Sequence, residues 1–218
     1  MTPAQKAIIQ AAGFKFPGHT EYLGHLAGGT PAMMLAIAGL RVVPVTVHLP
    51  LRDVAAKLTG ADIVKQGRIT AAALKQDFGI TEPRLAVAAL NPHGGESGSM
   101  GDEEIRIIAP AIAQLRADGI NAQGPAPADT LFHPAARATY DAVICMYHDQ
   151  ALIPLKTIDF AGGVNVTLGL PFVRCSPDHG TALDIAARGI ADPTSFMAAL
   201  CMARDIAERR AAALASRM

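Results

Sequence analysis

The chain has 218 residues and carries 19 Lys+Arg against 19 Asp+Glu, so its formal net charge is zero. That balance argues against a nucleic-acid binder held by bulk charge, an acidic disordered tail or a polybasic membrane-surface protein. Half of the residues are hydrophobic, 17% are charged and Trp is absent, so a core must be built from Ala, Leu, Ile, Val and Met.

Residues 3–12 read as a helix ending at Gly13, and Thr20 before Glu21 reads as the N-cap of the next. Ala32–Ile37 and Arg41–Val47 are apolar runs joined too tightly for a crossover, so adjacent antiparallel strands are expected, with Pro44 marking an edge or bulge. Pro50–Leu58 and Ala61–Phe78 read as helices, the second with a break at Gly67. Arg84–Leu90 reads as a buried strand. A Gly-rich loop follows, then a helix over Asp102–Asp118 whose Ile105, Ile108, Ile112 and Leu115 recur at the spacing of one buried face, with a kink at Pro110. Ala142–Met146, Val164–Leu168 and Phe172–Cys175 read as strands, and Thr181–Arg188 and Thr194–Leu214 as helices.

Strands alternating with helices imply an α/β fold with a mostly parallel sheet, in which ligands sit at the carboxyl ends of strands. His48, His93 and His148 each follow such a strand. Neutral imidazole is a common ligand for borderline metals, although these three lie too far apart in sequence to form a local motif. The alternative is three unrelated histidines satisfied at strand ends. Asp149 suits either His148 or the cap of the next helix. In Asn91–Glu104, Gly94, Gly95, Gly98 and Gly101 allow backbone N–H groups to face an anion, although the spacing is neither the dinucleotide fingerprint nor a P-loop. Lys156, Asn165 and Arg174 have the chemistry to hold phosphate or carboxylate. Asp184, in the stretch Asp178-His-Gly-Thr-Ala-Leu-Asp184, suits a helix dipole or a ribose diol. Cys145, Cys175 and Cys201 fit no zinc spacing or disulfide framework, which points to reduced cytosolic thiols. No stretch approaches the ~20 apolar residues of a membrane span, and MTPAQKAIIQ has no signal-peptide pattern.

Together, Pro-Gly-His-Thr-Glu (17–21), Thr-Val-His-Leu-Pro-Leu-Arg-Asp (46–53), Leu-Asn-Pro-His-Gly-Gly-Glu (90–96), Met-Gly-Asp-Glu-Glu (100–104), Gly-Pro-Ala-Pro-Ala-Asp-Thr-Leu-Phe (124–132), Met-Tyr-His-Asp-Gln (146–150), Gly-Val-Asn-Val-Thr-Leu-Gly-Leu-Pro-Phe-Val-Arg (163–174) and Asp-His-Gly-Thr-Ala (178–182) resemble the 4-hydroxythreonine-4-phosphate dehydrogenase family of vitamin B6 biosynthesis. The resemblance implies an isocitrate/isopropylmalate-dehydrogenase-like α/β/α two-domain fold. Residues 1–158 would form the metal-binding and dimerisation domain, and 159–218 the C-terminal part of the NAD-binding domain. Family members are longer at the N-terminus, so the resemblance also implies that the N-terminal part of one domain is missing here.

The resemblance further implies a homodimer with its active site at the subunit interface, and a divalent metal (Zn, Mg or Co) held by His48, His93 and His148 from both subunits. Substrate contacts carry over to His19, Thr20, Lys156, Asn165 and Arg174. The catalytic candidates are Asp129, as general base, and Lys156. Cofactor contacts carry over to Gly94, Gly95, His179, Gly180 and Asp184, with Asp184 favouring NAD over NADP. The implied substrate is a small phosphorylated hydroxy-amino acid, oxidised and decarboxylated in the cytoplasm. Paralogues acting on D-threonate 4-phosphate or a dihydrodiol carboxylate would share the triad. A non-catalytic dimerising or ligand-binding module is the alternative from another class.

Overall fold

The computed structural model describes residues 13–16, 18–180 and 182–216; the helix expected over 3–12 and the Thr181 start of a later one lie outside the described residues. One seven-stranded sheet organises the chain. Its strands are β1 (Ala32–Ile37), β2 (Leu40–Thr46), β3 (Arg84–Ala88), β4 (Asn121–Ala126), β5 (Ala142–Tyr147), β6 (Val164–Leu168) and β7 (Cys175–Pro177), in the order β4-β3-β5-β2-β1-β6-β7. The sheet is mixed rather than mostly parallel. Strands β4, β3, β5 and β2 run parallel, whereas the β1–β2, β1–β6 and β6–β7 pairs are antiparallel. The tight Ala38-Gly39 turn between β1 and β2 forces the change of direction.

Pro44 lies in the central strand β2, not at an edge. The paired positions with β1 stop at Val42, so β2 has left that partner's ladder before the residue that lacks an N–H. The last antiparallel strand begins at Cys175, later than the expected Phe172. Strand β4 carries no apolar run, and its Asn-Ala-Gln-Gly-Pro-Ala composition hides it as an edge strand.

Seven helices are described: α1 (His19–Ala27), α2 (Leu51–Lys57), α3 (Gly60–Gln76), α4 (Ala109–Ala117), α5 (Pro134–Arg137), α6 (His148–Ile158) and α7 (Thr194–Ala215). Gly18, not Thr20, occupies the cap position of α1. Thr59 caps α3, its hydroxyl accepting from Asp62 N at 3.1 Å. Helix α3 runs unbroken through Gly67, because Gly67 meets Leu115 of α4: a Cβ there would sit 2.7 Å from both Leu115 methyls. A π-turn over Glu104–Ile108 runs directly into α4 and takes the place of the expected kink, with Pro110 in the first turn of α4. The wider π period also turns Ile105 out to solvent, while Ile108, Ile112 and Leu115 stay buried.

One core layer joins the sheet to Ile63, Val64 and Leu74 of α3, Ile112 and Leu115 of α4, and Ala199 and Ile206 of α7. On the opposite face, Leu35, Val42 and Val143 of the sheet pack with Ala151, Leu152 and Leu155 of α6. The result is an α/β/α sandwich whose sheet includes β6 and β7. Residues 182–193 form no α-helix; a single three-residue 3-10 turn, Leu183–Ile185, replaces the one expected there.

Candidate active site

The parallel register of β3, β5 and β2 decides where the histidines emerge. These strands are immediate neighbours, so His48, His93 and His148 all leave the same edge of the sheet. The rings of His48 and His148 lie with centroids 6.3 Å apart. His148 Nδ1 meets Asp149 Oδ1 at 2.7 Å, which fixes the ring and leaves Nε2 directed elsewhere. Gly18 approaches His48 as well: a Cβ on it would lie 4.0 Å from His48 Cε1, so the Gly18-His19-Thr20 turn stands beside that ring. His19 opens α1, and its side chain is outside what the structure describes.

Gln150 ties the site together. It is buried; its Oε1 accepts from Met146 N and its Nε2 donates to Ala89 O, both at 2.7 Å. The start of α6 is thereby locked to the end of β3, which feeds the His93 loop.

His93 is exposed and sits on an unusual backbone. Residues 93–97 all adopt left-handed angles, with φ between 39° and 76°. Glycine accepts this freely, but His93, Glu96 and Ser97 do not, at about 1–2 kcal/mol each. Glu104 holds the base of this loop. Its Oε1 accepts from Leu90 N at 2.8 Å and Asn91 N at 2.7 Å, and its Oε2 from Asn91 Nδ2 at 3.0 Å. Burial resists ionisation of Glu104, but these hydrogen bonds outweigh it and hold the carboxyl below its ordinary pKa.

The remaining candidates form separate groups. Arg174 Nη1 donates to Asn165 Oδ1 at 3.2 Å and Thr167 Oγ1 at 3.0 Å, and its half-buried setting lowers its pKa. Lys156 lies two turns along α6 from His148, about 12 Å by helical rise. Its ammonium pairs with Asp178 Oδ2 at 2.8 Å and stands 5.1 Å from the Phe160 ring centroid. Asp129 is exposed in a 3-10 turn just after β4, which runs parallel to β3 and so ends at the histidine edge. His179, Gly180 and Asp184 are exposed in the segment after β7; His179 Nδ1 lies 2.9 Å from Gly180 O. Gly94 and Gly95 belong to the left-handed run.

The described residues of one chain bring no three His, Cys, Asp or Glu side chains together as a cation cage. Glu104, Gln150, Thr167 and Asp178 are the contributors that sequence reasoning missed. All four stand inside the quoted motifs, but only burial and partner geometry mark them.

A mixed α/β sandwich with imidazoles at the carboxyl edge of its parallel strands, next to a glycine-rich βα loop, is the framework of a ligand-binding α/β enzyme class. The family described as pyridoxal phosphate biosynthetic protein PdxA matches residues 1–203, and the chain belongs to that family. It is 62% identical over 211 residues to a 4-hydroxythreonine-4-phosphate dehydrogenase of Paracoccus denitrificans, covering 94% of this chain and 66% of the relative. The crystal structure of a 4-hydroxythreonine-4-phosphate dehydrogenase from Klebsiella pneumoniae superposes with a TM-score of 0.82 at 45% identity, over 93% of this chain and 63% of that one. A terephthalate 1,2-cis-dihydrodiol dehydrogenase from Burkholderia xenovorans gives 0.71 at 29% identity, over 94% and 65%. The chain thus spans about two thirds of the length of the relatives it matches.

Proposed function

We propose that the chain provides the metal- and substrate-binding surface of an NAD-dependent 4-hydroxythreonine-4-phosphate dehydrogenase. In that reaction the secondary alcohol of 4-phosphooxy-L-threonine is oxidised and the product loses CO2, giving 3-amino-2-oxopropyl phosphate for pyridoxine 5'-phosphate synthesis. The single observation that carries this reading is the common edge of β3, β5 and β2, from which His93, His148 and His48 emerge.

The donor set fits a borderline divalent cation such as Zn or Co better than Mg, a hard cation that prefers oxygen ligands. The His48 and His148 rings are close, and the Asp149 carboxylate orients His148. His48, His93 and His148 would hold the ion. That one chain does not gather three ligands among its described residues supports a homodimer in which two subunits share the site. When bound, the cation supplies Lewis-acid polarisation of the substrate oxygens, and NAD supplies the hydride acceptor.

The chain's own side chains do the rest. Arg174, braced by Asn165 and Thr167, presents a guanidinium to the phosphate or carboxylate. Lys156 exchanges its Asp178 partner for the same anionic substrate, and His19 and Thr20 approach from the turn beside His48. Asp129, exposed at the histidine edge, takes the hydroxyl proton as general base. Gly94 and Gly95, with His179, Gly180 and Asp184, supply the dinucleotide contacts, with Asp184 favouring NAD over NADP. Residues 1–158 carry the metal and dimer surface, and 159–218 belong to the cofactor-binding unit. The three cysteines are free, and no described helix is long and apolar enough to cross a membrane; both suit a cytoplasmic setting.

The likeness to the terephthalate dihydrodiol dehydrogenase favours, as a second reading, a cyclic dihydrodiol carboxylate as substrate. Two measurements test both. His93→Ala and His148→Ala should each abolish metal uptake, and unchanged metal content in either purified variant refutes the site. A panel of phosphorylated hydroxy acids and dihydrodiol carboxylates, assayed with NAD and a divalent metal, identifies the substrate. Binding of metal and phosphate without NAD binding or turnover would point instead to a non-catalytic module.

A further inference from the structure

The left-handed run carrying His93 is held from beneath by a carboxylate to which the proposed chemistry gives no role. Glu104 is 3% exposed, and its carboxylate accepts hydrogen bonds from the segment entering the loop: Leu90 N, Asn91 N and Asn91 Nδ2. It also packs against the middle of the run, because a Cβ on Gly95 would lie 2.6 Å from Glu104 Oε2. Backbone bonds close the flanks of the loop: Gly94 N to Asn91 O at 3.2 Å, Ser99 N to Glu96 O at 3.2 Å, and Met100 N to Gly95 O at 3.1 Å. Three non-glycine residues, His93, Glu96 and Ser97, nonetheless stand in a disfavoured conformation that the surrounding structure must hold.

The π-turn explains why the carboxylate reaches its partners. Glu104 opens that turn, and the widened helix end aims its side chain inward instead of along the solvent face that Asp102 and Arg106 occupy. Asn91 completes the clamp by donating a second bond to Glu103 Oε2 at 2.7 Å.

We propose that Glu104 is a positioning residue for His93: its carboxylate fixes the left-handed 93–97 turn in the one conformation that presents the His93 imidazole at the common strand edge. This rests on the reading of His93 as a metal ligand. Glu104 lies buried beneath the loop and acts through the backbone that carries His93, so its effect is read in metal affinity. Partners that orient a ligand in this way typically account for about 10–100-fold in affinity.

The test uses the full chain and Glu104→Gln, which is nearly isosteric but turns a donor toward Asn91 Nδ2. Four quantities are measured: amide hydrogen exchange over residues 93–101 without metal, Zn2+ affinity by competition with a chromophoric chelator, the visible spectrum of bound Co2+ as a geometric probe, and the melting temperature. Glu104→Gln should exchange at least about tenfold faster across the loop, the scale of one lost charge-assisted hydrogen bond. It should bind Zn2+ about 10–100-fold more weakly and shift the Co2+ spectrum, while its melting temperature stays near that of the parent. Parental exchange and affinity in Glu104→Gln overturn the proposal. Faster exchange with parental Zn2+ affinity in both Glu104→Gln and His93→Ala overturns it differently, by removing His93 from the ligand set. If Glu104→Gln does not fold, Asn91→Ala deletes only the side-chain half of the clamp and should weaken Zn2+ by a smaller factor. An unchanged affinity there also overturns the proposal.

Discussion

Gln150 reaches from the first turn of α6 across to β3, where its Nε2 donates to the Ala89 carbonyl at 2.7 Å while its Oε1 accepts from Met146 N. Two strands that deliver candidate ligands are therefore joined through one buried amide. Gln150→Leu leaves a carbonyl and an N–H unpaired in the interior, at about 1–3 kcal/mol for each group. The expected result is a lower urea midpoint together with weaker divalent-metal binding, read by denaturation and chelator competition. A variant that lost stability but kept full metal affinity would show that the two strand ends are set independently.

The ion pair between Arg210 and Asp77 fastens α7 to the end of α3. Arg210 Nε and Nη2 meet the two carboxylate oxygens at 2.7 and 2.9 Å, and Nη1 donates to Leu170 O at 3.2 Å. Hydrogen bonding to Asp77 raises the Arg210 pKa, so the guanidinium stays charged across the working range. The pair is largely buried, with side-chain exposures of 16% and 4%. Arg210→Met alone strands the Asp77 carboxylate and should cost about 3–5 kcal/mol, whereas Asp77→Leu/Arg210→Met together should recover most of that loss. Equilibrium unfolding of the two single variants and the double variant measures this directly.

The contact between Gly67 and Leu115 makes a sharper test of packing than of helix propensity. Alanine at 67 gains about 1 kcal/mol of helix propensity but forces a methyl against both Leu115 methyls. Overpacking of this kind costs about 1–3 kcal/mol, so Gly67→Ala should be mildly destabilising. The same change made in Leu115→Ala, where the space exists, should be stabilising. A double-mutant cycle from thermal melts reports the coupling.

These contacts also mark how far the sequence could be read. The runs Ala32–Ile37, Arg84–Ala88, Ala142–Met146 and Val164–Leu168 are apolar and bounded by turns, so their strands were legible, and so was the position of each histidine after a strand. Asn121–Ala126 was not, because an edge strand needs no apolar face and its pairing with β3 supplies the order. Gly67 read as a helix breaker because periodicity carries no record of which helix packs against it. Asp184 read as part of a helical first turn, whereas an exposed 3-10 turn stands there. Glu104 carries no distinguishing signal in the sequence, since an acidic residue near a helix start is ordinary; only the π-turn, set by tertiary packing, turns it inward.

Two titrations should bracket the stability profile. Burial works against ionisation of Asp141, but hydrogen bonds from Arg84 outweigh it and depress its pKa; Arg84 N donates to it at 2.8 Å, and Arg84 Nη2 at 3.1 Å. A depressed folded-state pKa means the unfolded chain takes up the proton first, so stability is complete above the ordinary Asp pKa and declines as pH falls through the folded value. Tyr140 sets the opposite limb. Burial pushes its phenol up to about 12, and its hydroxyl donates to Leu131 O at 2.7 Å. Here the folded chain holds its proton longer than the unfolded one, so stability is complete below pH 10 and falls as pH rises toward 12, by roughly 2 kcal/mol. Urea midpoints across pH should therefore fall at both ends. Asp141→Asn should flatten the acid limb attributed to it and Tyr140→Phe the alkaline one, each without altering the other. An alkaline decline of the same size in Tyr140→Phe would assign that limb to other groups, among which the thiols of buried Cys145 and half-buried Cys175, raised by desolvation, are the next candidates.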